Sequence, residues 1–98
     1  MEYVVERYVP GLSESELRVA LAELEAVAAQ LRREGLEVRY LGSTFFPHDE
    51  ACFSSFESAS SEAVVEVNAC STLPFARILE AVRFPCRAVR ENVIRHAG

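Results

Sequence analysis

Leu36-Glu37-Val38-Arg39-Tyr40-Leu41-Gly42-Ser43-Thr44-Phe45-Phe46-Pro47-His48-Asp49-Glu50-Ala51-Cys52-Phe53-Ser54-Ser55-Phe56-Glu57 decides the fold. Leu36, Val38 and Tyr40 alternate with Glu37 and Arg39, the two-residue period of a half-buried strand, and the apolar content runs on to Phe46. Pro47 breaks the run, His48, Asp49 and Glu50 make a polar connection, and Ala51 to Glu57 is again rich in β-formers. Two strands so close together pair as a hairpin, and everything else in the chain is arranged around them.

Upstream, Tyr3, Val4, Val5, Tyr8 and Val9 mark a first strand over Glu2 to Val9, closed by Pro10-Gly11. Ser13 with Glu16 three residues later is a capping box. Leu17, Ala20, Leu21, Leu24, Val27, Ala28 and Leu31 then recur at three-and-four spacing, predicting an amphipathic helix from about Glu14 to Glu34. Gly35 follows Arg32 and Arg33, the residues expected where a helix ends in a left-handed turn and cations meet its negative pole. Downstream, Ser60 caps a shorter helix with Glu62, Val64, Val67 and Cys70, ended by Leu73-Pro74. Ile78, Leu79, Ala81, Val82 and Phe84 form a fourth strand before Pro85. The order β-α-β-β-α-β is the ferredoxin-like α+β arrangement, two helices on one face of a four-stranded antiparallel sheet, with right-handed crossovers. The domain spans 1–84, and 85–98 is a tail in which Val89, Val93 and Ile94 predict a short helix from Cys86 to His96.

Composition narrows the chemistry by exclusion. The chain has 98 residues and a formal charge of −5, and all ten basic residues are Arg, so no lysine exists for a Schiff base or a phosphate-binding Walker loop. Seven Arg face fourteen acids before residue 85, and three face Glu91 after it, leaving the body at −7 and the tail at +2. That balance opposes nucleic-acid backbone binding, and the third strand has Phe53 and Phe56 but none of the cations or glycines of an RNA-binding sheet. No apolar run reaches the ~18 residues of a membrane span, and no basic segment leads into an apolar block, so a cytoplasmic protein without membrane contact is expected. Cys52, Cys70 and Cys86 are odd in number and contain no CxxC, which removes disulfide frameworks, zinc ribbons and copper-chaperone use of this fold. The Ser-rich run 54–61 lacks the GxSxG elbow of a serine hydrolase.

Both sides of the sheet ask for burial. One strand parity carries Tyr3, Val5, Val9, Leu36, Val38, Tyr40, Phe46, Ile78, Val82 and Phe84; the other carries Val4, Tyr8, Leu41, Phe45, Leu79 and Ala81. Two helices cover one face, so a homodimer packed sheet to sheet is expected, against the alternative that the terminal helix folds back over the second face.

Tyr3-Val4-Val5-Glu6-Arg7 up to Pro10, Val38 to Phe45, Cys52-Phe53-Ser54-Ser55-Phe56-Glu57, Ser60-x-Glu62-Ala63-Val64 and Leu73 to Val82 resemble a family of small bacterial ferredoxin-like proteins of undefined function. One branch of it is described as nickel-binding. The resemblance covers about residues 2–84 and implies the fold, a dimeric α+β barrel and, in that branch, a metal. Many members carry a His in a Leu-His-Ser context where this chain has Leu41-Gly42-Ser43, and Gly42 offers no side-chain donor.

Two sites follow. His48, Asp49, Glu50 and Cys52 are the densest cluster of donors suited to nickel or zinc, in one copy or shared between two, and the alternative is a solvated turn. Glu6, Arg7, Arg39, Glu57, Glu80 and Arg83 are charges on strands. Glu6 or Glu80 in an apolar dimer cavity would have a raised pKa and serve as general base beside Tyr8 or Tyr40, and cross-strand ion pairs are the structural alternative. The expected function is a dimeric binding protein for a transition metal or small ligand without turnover. The alternative is a cofactor-independent dimeric α+β barrel enzyme performing proton transfer, cyclisation or oxygenation on a small organic substrate.

Overall fold

The computed structural model describes residues 1–86, so the tail helix expected from Cys86 to His96 lies almost wholly outside the described residues. Its elements are β1 (Glu2–Tyr8), α1 (Glu14–Arg33), β2 (Val38–Phe46), β3 (Ala51–Ser58), α2 (Ser61–Ala69) and β4 (Arg77–Ala81). The strands form one antiparallel sheet in the order β2-β3-β1-β4. This is the ferredoxin-like βαββαβ fold.

Local signals act where the sequence places them. The Glu16 amide donates to Ser13 Oγ at 3.1 Å and the Ser13 amide to Glu16 Oε1 at 3.0 Å, completing the capping box of α1. At its other end Gly35 takes φ +103°, which lets its amide reach Arg32 O and that of Leu36 reach Leu31 O. The Ser60 hydroxyl accepts from the Ala63 amide and starts α2.

The helices bury the Tyr3, Val5 and Val38 side of the sheet. Leu24, Phe56, Val64 and Val67 are wholly buried in the main cluster, and Val9, Leu17, Cys52 and Leu73 form a second. Leu73 therefore anchors the connection after α2, which ends earlier, at Ala69. β4 is also shorter than its apolar run. The β1 ladder ends at Glu2, opposite Ala81, so Val82 and Phe84 have no strand to pair with and stand 70% and 87% exposed.

One correction alters the reading of both faces. The β2–β3 register slips between Tyr40 and Gly42, a bulge that makes Leu41 an extra residue, with Gly42 at φ +134°. An extra residue reverses alternation beyond it. Tyr40 packs toward the helices, its ring 5.4 Å from that of Phe56, yet it is Phe45 that continues on that side, against Val9, Leu17 and Cys52. Phe46, placed with Tyr40 by simple alternation, turns to the open face and meets Phe53 at 5.3 Å.

Candidate functional site

The open face carries Val4, Glu6 and Tyr8 from β1, Phe53 and Ser55 from β3, Thr44 and Phe46 from β2, and Arg77 and Leu79 from β4, with neither helix against it. Tyr8, Leu41, Phe46, Phe53 and Leu79 are between 37% and 53% exposed. These are large apolar side chains gathered on one surface.

At its centre lies an ion pair, Glu6 with Arg77. Register sets Glu6 opposite Arg77 on one side and Phe53 on the other. Arg77 Nε donates to Glu6 Oε2 at 2.7 Å, and the Tyr8 phenol donates to Oε1 at 2.6 Å. Both carboxylate oxygens are occupied and Glu6 is only 7% exposed. The Tyr8 hydrogen bond and then Arg77 hold the Glu6 carboxyl below the usual carboxylate range, while the same bond pushes the Tyr8 phenol up. A base that must accept a proton near neutrality needs the opposite shift. The expected raised pKa of Glu6 is thus corrected: the neighbour an apolar cavity would have withheld, a guanidinium, is present.

Glu6 and Tyr8 are brought together, and Glu80 and Tyr40 are not. Glu80 is opposite Tyr3, exposed at the rim of the helix-covered side. The Tyr40 phenol also lies on the helix side, hydrogen-bonded to Ser43, whose hydroxyl is 2.7 Å from that of Ser54. Of the other strand charges, Arg83 pairs with Glu2 at 3.0 Å and Glu57 with the N-terminal ammonium at 2.9 Å.

Burial separates one metal candidate from the other three. His48, Asp49 and Glu50 are exposed in the turn after β2, whereas Cys52 is wholly buried among Val9, Leu17 and Leu73. Burial pushes the Cys52 thiol up, away from the thiolate a metal needs. Glu50 has structural work: its Oε2 accepts from the Gly11 amide at 2.7 Å and its carbonyl from the Val9 amide at 2.8 Å, pinning one turn to another. Among the described residues no group of three or more His, Cys, Asp and Glu gathers as a metal site would require. The residues present do not fit nickel or zinc within one copy.

Beside Tyr8, the open face sinks into a hollow of about 450 Å³ lined by Tyr8, Phe46, Asp49, Ala51 and Phe53. Three walls are aromatic and one rim group is a carboxylate. A larger depression of about 610 Å³ lies between Met1, the end of α1 and the start of β2, lined by charges of both signs and by no aromatic ring.

The helix side holds a polar group that sequence reasoning left unplaced. Arg7 is wholly buried, donating from Nη2 to Asn68 Oδ1 at 2.8 Å and from Nη1 to Pro74 O at 3.2 Å, with Nε unpartnered. Its charge stands at the last turn of α2, which has no basic residue of its own, so β1 supplies the cation that the helix dipole favours there. Asn68 and Arg77 carried no sequence signal, because Asn68 acquires its role from the packing of α2 against β1 and Arg77 from the β1–β4 register.

No family model matches the chain, and no curated protein does. Among solved structures, SCO4226 from Streptomyces coelicolor A3(2) is similar, with a TM-score of 0.72 over 87% of this chain and 100% of that one, at 17% identity. The likeness carries the fold: the βαββαβ frame recurs over the full length of SCO4226.

Proposed function

We propose that the chain is a homodimeric binding protein in which a second copy packs its sheet against the open face and a small ligand is held at that interface without turnover. The carrying observation is the open face itself: five large apolar side chains exposed together, with their one central carboxylate already neutralised by Arg77 and Tyr8. A paired, hydrogen-bonded charge can be covered at far lower cost than a free one, so this surface is prepared for burial. The sequence resemblance to the ferredoxin-like family with dimeric α+β barrel members supports the same reading. A nickel ion, as in the branch described as nickel-binding, or a zinc ion would need donors from both copies, which elemental analysis with native mass spectrometry tests directly. The enzyme reading is weaker, because Glu6 is held as an anion and not poised as a base.

Light scattering at micromolar concentration tests the assembly. The parent protein is expected at dimer mass, and Phe53→Asp, which sets a bare carboxylate in the middle of the face, is expected at monomer mass with unchanged far-ultraviolet circular dichroism. A monomeric parent protein would overturn the proposal.

A further inference from the structure

We infer that the hollow beside Tyr8 is a site for a small organic cation, an aryl or alkyl ammonium. This rests on the reading of the open face as a ligand-binding surface and names what that surface selects. Tyr8, Phe46 and Phe53 form the walls, and the Phe46 and Phe53 rings are inclined at 60°, so they present surfaces in different directions. Aromatic faces attract a cation through their quadrupole, most strongly where water is displaced. Asp49 stands at the rim and takes part in no ion pair among the described residues. The cation nearest the hollow in the register, Arg77, is already committed to Glu6.

The alternatives are disfavoured by the same lining. An anion would meet Asp49 with no unpaired cation on the walls, and a sugar-like ligand would find few partners, because Ala51, Phe46 and Phe53 offer no side-chain donor or acceptor. The volume of about 450 Å³ accommodates a single-ring ligand. A second copy over the open face would close the mouth, strengthening both the ring contacts and the attraction of Asp49.

The test is a titration of the full chain with benzyltrimethylammonium, benzyl alcohol and benzoate, followed by amide shifts in heteronuclear NMR and by calorimetry. Benzyltrimethylammonium is expected to bind best and to move the amides of Tyr8, Phe46, Asp49 and Phe53. Asp49→Asn, in an exposed turn, is expected to weaken that binding about tenfold and to leave benzyl alcohol unaffected. If benzyl alcohol binds the parent as tightly as the cation, or Asp49→Asn changes nothing, the cation inference is overturned while a ligand-binding face stands. If no probe moves these amides, the inference falls and the ligand part of the proposed function falls with it, leaving only the assembly measured by light scattering.

Discussion

Asn68→Ala isolates how the fold tolerates a buried guanidinium that has no carboxylate partner among the described residues. The substitution removes the acceptor 2.8 Å from Arg7 Nη2, and both residues are buried. A hydrogen bond to a charged group contributes about 1.5–3 kcal/mol, and its loss leaves a second guanidinium nitrogen unpartnered beside Nε. The Asn68 Nδ2 bond to Val64 O, at 2.8 Å, adds about 1 kcal/mol. The expected loss is about 3 kcal/mol, a large part of the stability of a small domain. Arg7→Met removes the charge together with its desolvation cost but leaves Asn68 Oδ1 and the Pro74 carbonyl without their donor, so it should cost about 1–3 kcal/mol. In that background Asn68→Ala should cost only about 1 kcal/mol, so the cycle should show about 2 kcal/mol of coupling. Urea unfolding at one fixed protein concentration measures this, since the stability of the proposed dimer would depend on concentration. At an m-value of about 2 kcal/mol/M the Asn68→Ala midpoint should fall by roughly 1.5 M. A cycle additive within about 0.5 kcal/mol would refute the reasoning, because it would mean that Arg7 draws nothing special from Asn68.

Three further outcomes are expected. Glu6 has a folded-state pKa below its unfolded value, so its contribution is present above the unfolded pKa and lost as pH falls through the folded one; acid unfolding monitored by circular dichroism should flatten in that range in Glu6→Gln. Gly42→His puts an imidazole into the β2 bulge, but at φ +134° any side chain is strained even though the space around it is open; thermal unfolding should report a loss of about 1–3 kcal/mol, and nickel titration of the variant should show no tight site in a monomer. Ser13→Ala removes one half of the capping box and should cost about 1 kcal/mol by urea unfolding, with α1 otherwise intact.

Much of the architecture was legible because its causes are local. Ser13 and Glu16 start α1, Gly35 ends it, and Pro47 divides β2 from β3, each through the conformations open to a few neighbouring residues. The periods of two and three-and-four residues then set the element order, and with it the fold. The site was only half legible. Glu6 beside Tyr8 follows from strand alternation, since residues two apart share a face, and the structure does join them. The sign of the Glu6 shift only half follows: its largest cause, the Tyr8 hydrogen bond, is local, whereas the second, Arg77, lies 71 positions away and becomes a neighbour only through the β1–β4 register. Tertiary packing likewise joins Arg7 to Asn68, and it buries Cys52 away from the exposed donors at 48, 49 and 50 that adjacency in sequence groups with it. Above all, one extra residue at Leu41 exchanges the faces of Phe45 and Phe46. The mark the bulge leaves in the sequence is Gly42, an isolated glycine within a strand, which simple alternation passes over; the bulge places Phe46 against Phe53 and thereby builds the aromatic hollow.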